Sequence, residues 1–251
     1  MKISVVTVAM NAAETIAETI DSVNSQTHTE REHLVIDGGS TDGTLDIIRA
    51  READLTEWLS EPDRGIYDAM NKGIGRASGD VVGLLNADDV YADDDVLSSV
   101  ARVFSDPTVE ASYGDLVYVE RSNPERVVRY WRSTVYRPGL FERGWMPAHP
   151  TFFVRRSTYQ RLGLYNLRLR FQSDLELTAR YIGIHAIRTR YIPRILVRMR
   201  TGGTTNRSIG NIVRGNLESY AALKALGLNI TPLFLARKFA MRTRQFFGKP
   251  E

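Results

Sequence analysis

The residues whose types and spacing could do chemistry fall in four short polar runs. The first is Asn86-Ala87-Asp88-Asp89, which follows the apolar run Val81 to Leu85. Adjacent carboxylates at the end of a buried strand repel each other and lose hydration, and a divalent cation shared with a diphosphate compensates both costs. Asp89 and Asp88 are therefore candidate ligands for Mn2+ or Mg2+. An acidic helix start is the alternative, because Asp93, Asp94 and Asp95 follow and negative charge suits that end of the helix dipole. The second run spans Asp37 to Thr44 and reads Asp-Gly-Gly-Ser-Thr-Asp-Gly-Thr. A carboxylate at Asp37 can accept a hydrogen bond from a nucleobase N–H while the glycines allow close approach. A turn with Ser40 or Thr41 as helix cap accounts for the rest of that loop, Asp42 included.

The third run, Glu61 to Gly73, puts Arg64 at the mouth of a helix, where it can pair with a phosphate or with Asp63. Asp68 and Asn71 stand three residues apart on one helical face, which is equally the polar side of an amphipathic helix. A dinucleotide fingerprint is a poor fit, since Gly73-Ile74-Gly75 is followed by Gly79 and misses the G-x-G-x-x-G spacing. The fourth run is Phe171-Gln172-Ser173-Asp174-Leu175-Glu176. Ser173 and Glu176 have capping-box spacing, so Glu176 reads as structural. Asp174 is the candidate general base, because an inverting displacement needs a carboxylate within reach of the acceptor hydroxyl.

Elements must bring these runs together. Ile3 to Val8 reads as a buried strand, and Asn11 as the cap of a helix running to about Gln26 through Ile16, Ile20 and Val23. Strands are expected at His33 to Ile36, Glu57 to Ser60 and Asp80 to Leu85, with helices through Leu45 to Ile48, Arg64 to Ala77 and Asp94 to Phe104. In parallel α/β sheets ligands bind outside the carboxyl ends of the strands, so Asp37 and Asp88/Asp89 would face one crevice. The second half is mixed. Strands are expected near Ala111–Val119, Val127–Trp131 and Thr151–Val154, then a helix from Ser173 to Ile182. Two short strands near Ala186–Ile192 and Ile195–Met199 follow, then a glycine-bearing loop from Thr201 to Thr205. Two helices over Ile209 to Phe247, broken near Gly227–Pro232, complete the chain.

Composition narrows the chemistry further. The 251 residues are 43% hydrophobic and 25% charged, which fits one α/β domain with a terminal appendage. With no Cys and four His, thiolate nucleophiles and zinc–thiolate sites are excluded, and any metal must sit on carboxylates. The apolar start is too short to span a bilayer and lacks a signal-peptide pattern, so a cytoplasmic protein is expected. Residues 1–120 hold 8 Lys and Arg against 24 Asp and Glu, whereas residues 121–251 hold 25 against 6. Such a split fits a basic wall facing a phosphorylated ligand, attraction to an anionic membrane, or a polyanion binder.

Four of these segments, in this order, resemble the inverting nucleotide-sugar glycosyltransferases of family 2: Ser4 to Asn11, the Asp37 loop, Glu61 to Gly73, and Asn86 to Asp89. The likeness spans about residues 1–200 and is greatest to small bacterial polysaccharide and glycolipid members. It implies a GT-A fold: a Rossmann-like α/β architecture with a mostly parallel sheet flanked by helices, a mixed C-terminal half and a helical tail. It further implies that the backbone of Thr7, Val8 and Ala9, with Asp37, holds the nucleobase, that Asp88 lies near the ribose, and that Asp89 binds the metal. Arg64 would lie near the base or phosphates, and Asn11, Asn71 and His149 join the donor side as candidates. The family's Glu-Asp pair at a helix start maps onto Ser173-Asp174, with Ser in place of Glu. His149, before Pro150, stands where the family often has a strand beside the acceptor, and the Arg200–Thr205 loop resembles a lid.

The resulting expectation is transfer of a sugar from a UDP- or GDP-linked donor to a hydroxyl of a glycan or lipid-linked acceptor, aided by Mn2+ or Mg2+. Residues 1–205 would form the transferase domain, with a nucleotide-sugar half (1–120) and an acceptor half (121–205). Residues 206–251 would be a basic helical extension. That extension, with Arg237, Lys238, Arg242 and Arg244 beside Phe239, Phe246 and Phe247, would lie on the inner face of the membrane, on the domain, or on another copy of the chain. Nucleic acid is not an expected partner. Two rivals stay open from residues alone: a nucleotidyltransferase making the nucleotide sugar, and a non-catalytic polyanion binder.

Overall fold

Seven consecutive buried residues form β1 (Ile3–Ala9), as expected of a parallel strand covered on both faces. The computed structural model, which describes residues 1–202 and 209–245, sets β1 between β2 (Arg31–Asp37) and β4 (Val81–Asn86). Both run parallel to it, and β3 (Glu57–Ser60) lies parallel beyond β2. Alternate side chains of β1 serve opposite layers. Val6 and Val8 pack with Met70 and Ile74 of α3 (Ile66–Arg76). Ile3 and Val5 meet Val96, Val100 and Phe104 of α4 (Val96–Phe104). Ala9 meets Ile16 and Ile20 of α1 (Ile16–Asn24) and Ile48 of α2 (Thr44–Ala50).

Beyond β4 the sheet becomes mixed. β8 (Phe153–Arg155) runs antiparallel to β4, and β6 (Ala111–Glu120) antiparallel to β8. β9 (Thr189–Arg200) lies parallel to β6, while β5 (Asp89–Tyr91) pairs antiparallel with β9 and β7 (Asn123–Trp131) antiparallel with β6. The expected mostly parallel sheet is thus wholly parallel from β3 to β4 and mixed after it. Gly83 is required at the seam, since a Cβ there would lie 2.3 Å from the Phe153 ring. The helices α5 (Arg156–Leu162), α6 (Ser173–Thr178), α7 (Ile209–Ala225) and α8 (Phe234–Arg244) complete the fold.

Several local expectations are corrected. Asn11 does not cap α1; it has a left-handed φ of 52° and lies five residues before the helix. The two short strands expected after Ala186 are one strand, β9. Pro193 has no N–H for the ladder, and the pairing with β6 steps from Tyr191 to Ile195. The helix from Ser173 is α-helical only to Thr178 and continues as a π-turn over Ala179–Ile184. Its capping box is absent, because Ser173 Oγ is buried without a hydrogen-bond partner and Glu176 pairs with Arg180 at 2.8 Å. The tail forms two helices, with Leu223 and Phe234 fully buried and Leu217, Leu233 and Phe239 exposed. No helix among the described residues is long and apolar enough to cross a membrane. Gly203 to Thr205 of the expected lid, and Phe246 and Phe247, lie outside the described residues.

One buried carboxylate ties the amino ends of three strands. Glu32 on β2 accepts hydrogen bonds from Ser4 Oγ of β1 and from Ser78 N, Ser78 Oγ and Gly79 N just before β4, and it pairs with Lys2. Burial opposes its ionisation, but the hydrogen bonds from Lys2, Ser4 and Ser78 outweigh burial and hold its pKa at about 2, against an ordinary value of 4.5. A folded-state pKa below the unfolded one stabilises the fold above about pH 4.5, and that stability is lost as pH falls towards 2. The Glu32→Gln variant should therefore lose on the order of 3 kcal/mol of the stability difference between about pH 6 and pH 2. Urea unfolding across that range checks it, and an unchanged pH dependence would refute the clamp.

Candidate active site

The strand register sets the frame of the site. Ala9 is level with Asp37, and Val8 with Asn86. With neighbouring strands about 4.8 Å apart, Asp37 and Asn86 flank the end of β1 roughly 10 Å from each other. Asp37 and Asn86 therefore emerge at one carboxyl rim, as expected. Thr7 lies beneath it, with its Oγ1 2.9 Å from Nε2 of His33, whose pKa burial pushes down to about 3. The main-chain carbonyls of Val8 and Ala9 accept from Ala87 N (3.1 Å) and Gly38 N (2.9 Å). Asn11 laces the next turn to the Asp37 loop, accepting from Thr41 N at 2.9 Å and donating its own N–H to Ser40 Oγ at 2.8 Å.

Asp37 is fully buried and heavily engaged. Its Oδ2 accepts from Gly39 N (3.0 Å), Ser40 N (3.0 Å) and Ser60 Oγ (2.7 Å), and its Oδ1 from Ser40 Oγ (2.5 Å). It shapes the loop. The carboxylate that opens beside it is Asp63, which sequence reasoning considered only as a partner for Arg64. A Cβ on Gly38 would lie 2.4 Å from Asp63 Oδ2, so this side chain fills the space that the glycine leaves. The signal in the sequence was a glycine directly after a strand-terminal Asp. Arg64 instead pairs with Asp68 at 3.2 Å and stays exposed. The Asn71 amide is engaged within the fold: it donates to Tyr165 O and accepts from Tyr165 N, each at 2.9 Å, stapling α3 to the second half of the chain.

The paired aspartates differ sharply. Asp88 is half-buried, whereas Asp89 is fully buried. Burial and the neighbouring Asp88 push the Asp89 carboxyl well above the usual carboxylate range. Asp89 Oδ2 accepts from Asn86 Nδ2 at 3.1 Å, and its Oδ1 is buried without a hydrogen-bond partner. Arg200, which sequence reasoning placed only at the start of a lid, is buried below them, donating to Asp88 O at 3.0 Å and pairing with Glu18. An orphaned carboxylate oxygen behind a more open one is a donor set that fits a divalent cation. Among the described residues no three His, Asp or Glu side chains form a closed cage, so phosphate oxygens and water would supply the remaining ligands.

Asp174 approaches this rim from the second half of the chain, through Tyr67 at the start of α3. Its Oδ1 accepts from Tyr67 OH (3.2 Å) and Leu175 N (2.8 Å), and its Oδ2 lies 3.7 Å from His149 Nδ1. Burial pushes the His149 pKa down, while the Asp174 and Asp88 carboxylates pull it up, so both acids lie within electrostatic reach of one ring. Burial and the charge of Asp174 hold the Tyr67 phenol well above its ordinary pKa, keeping it a donor. Tyr67 in turn stacks on Tyr165 at 5.5 Å. The fold therefore brings together Asp88, His149 and Asp174 from three separate segments, with Tyr67 as a partner that sequence reasoning missed. Nothing in the spacing of α3 linked Tyr67 to α6.

Comparison with known proteins identifies the fold and the family. The chain is 29% identical over 259 aligned residues to a PGL/p-HBAD biosynthesis glycosyltransferase of Mycobacterium tuberculosis, covering 96% of this chain and 94% of that protein. It shares its fold with residues 1–349 of Staphylococcus aureus TarS in complex with UDP-GlcNAc, at a TM-score of 0.68 and 17% identity over 98% of this chain and 75% of that one. A mannosyltransferase of Pyrobaculum calidifontis, solved with GDP-Man and Mn2+, superposes at a TM-score of 0.66 and 22% identity over 95% and 69% of the two chains. The Glycosyl transferase family 2 profile matches residues 4–165. That match runs from β1 to the residue stapled by Asn71 and takes in the whole parallel half with its crevice: the chain is a glycosyltransferase and belongs to family 2.

Proposed function

We propose that this enzyme transfers a sugar, with inversion, from a nucleoside-diphosphate donor to a hydroxyl of a glycan or lipid-linked acceptor. The observation that carries the proposal is the meeting of Asp174 with His149, at 3.7 Å, and with Tyr67 of α3, at 3.2 Å, near enough to the carboxyl rim for the Asp88 charge to act on the same His149 ring. The donor class is supported by the UDP-GlcNAc and GDP-Man complexes of the structural neighbours, and a role in biosynthesis by the PGL/p-HBAD biosynthesis named for the mycobacterial relative.

On the donor side, the base would lie over the ends of β1 and β2. Asp37 is committed to its own loop, so Asp63 is the carboxylate left to accept a base N–H. Asp88 would hold a Mn2+ or Mg2+ directly, with Asp89 supporting it from below and Arg200 fixing the Asp88 backbone. Such a cation, when bound, neutralises charge on the diphosphate leaving group. Arg64, exposed but paired with Asp68, would exchange that partner for the phosphates. On the acceptor side, Asp174 Oδ2 would take the hydroxyl proton while Tyr67 and the Leu175 amide hold Oδ1 and fix the carboxylate plane. His149, kept neutral by burial, would line the passage between the two carboxylates.

A thermal-shift screen of UDP, GDP, dTDP and their sugars, with and without Mn2+, identifies the donor, since a ligand that binds the native state raises its melting temperature by mass action. The Asp174→Asn variant should lose on the order of 100-fold or more in kcat yet show the wild-type shift with the donor; near wild-type turnover would remove Asp174 as the base. Asp88→Asn should reduce the Mn2+-dependent part of the donor shift to near zero, and Asp89→Asn should reduce it less. Full Mn2+ dependence in Asp88→Asn would contradict the metal assignment.

A further inference from the structure

The C-terminal helices read as a basic appendage, yet one of their charges is buried inside the enzyme. Lys238 on α8 is 4% exposed. Its Nζ donates to Ser219 Oγ at 2.6 Å and to Gln172 Oε1 at 3.2 Å, and Ser219 Oγ donates to the same Gln172 oxygen at 2.7 Å. An ammonium out of water is retained only where its hydrogen bonds are satisfied. Room for it is made by Gly144, where a Cβ would lie 2.6 Å from Lys238 Cα. One residue before Ser219, the Glu218 carboxylate accepts from Arg170 N at 2.7 Å and Phe171 N at 2.6 Å. The three residues 170–172 are therefore all held by α7 and α8.

Those residues lead straight into α6 and Asp174. Gln172 is the residue from which α6 starts, its carbonyl accepting from Glu176 N at 3.0 Å. No side chain caps this helix start, and Ser173 Oγ has no hydrogen-bond partner. The direction of the first turn thus depends on what grips the chain just before it. We propose that Glu218, Ser219 and Lys238 are positioning residues that hold Arg170–Gln172 and so aim Asp174 at the crevice. The tail is then a part of the catalytic apparatus, and the proposal rests on Asp174 being the base.

The test separates aiming from folding and from donor binding. Lys238→Met should lower kcat on the order of 10-fold, the scale expected when a reacting group is misplaced, while leaving the donor Kd from calorimetry within about twofold. Gln172→Leu should do the same. The double variant should lose no more than the worse single one, because both changes break one link. If Lys238→Met does not fold, Glu218→Gln provides the same readout from the other side of the segment. Unchanged kcat in the folded variants overturns the proposal, as does a loss of donor affinity matching the loss of kcat, which would mark general damage. If Asp174→Asn loses turnover and Lys238→Met does not, only the positioning role fails. If Asp174→Asn keeps turnover, the base assignment itself has failed.

Discussion

The parallel register of β2, β1 and β4 is the constraint from which the active site follows. A slip of one residue in any of these strands would turn each of its side chains to the opposite face, so Asp37 and Asn86 can flank Ala9 only in this alignment. The alignment is held at the far ends of the strands. Glu32 joins β2 to Ser4 of β1 and to the turn before β4, and Lys2 neutralises its charge. A carboxylate at the amino ends of the strands thus helps to fix where Asp37 and Asn86 emerge at the other end.

The acids around the rim separate by burial: Asp37 and Asp89 are fully buried, whereas Asp63, Asp88 and Asp174 are partly exposed. Asp37 accepts four hydrogen bonds, all from its own loop and from Ser60, and its role is to shape the rim. Asp89 is sealed beneath Asp88. Asp88, Asp63 and Asp174 keep oxygens near the surface of the crevice, and these three are the groups offered to metal, base and acceptor proton in the proposed reaction. The contrast in net charge between the two halves of the chain acquires a structural meaning here. The acidic half supplies Asp37, Asp63, Asp88 and Asp89, while two basic side chains of the other half are buried, Arg200 donating to Asp88 O and Lys238 to Gln172 Oε1 just before α6.

Much of this was legible in the sequence. The apolar runs at Ile3–Val8 and Asp80–Leu85 read directly as central strands, because such strands are buried on both faces and show no alternation. The convergence of Asp37 with Asp88/Asp89 followed from strand polarity alone. What was illegible depended on contacts between segments far apart in the chain. That Asp89 lies under Asp88 comes from β5 pairing with β9, an edge strand of three residues with too little sequence to register. Tyr67 meeting Asp174 spans 107 residues, and nothing in either helix encodes it. Lys238 looked like one more exposed cation in a basic tail, since burial of a lysine depends on partners that only the packed structure supplies. The apparent capping box at Ser173 failed for the same reason: Glu176 found Arg180, a better partner one turn along.

The central claim is that acids separated in sequence form one crevice for the diphosphate of the donor at the carboxyl ends of β1, β2 and β4. Crystals grown with UDP and Mn2+ test it most directly through the anomalous scattering of the metal. A single strong peak is expected within coordinating distance of an Asp88 carboxylate oxygen, with the uracil over the ends of β1 and β2 beside Asp63. A peak on another face of the molecule, or a nucleotide bound away from this rim, would contradict it.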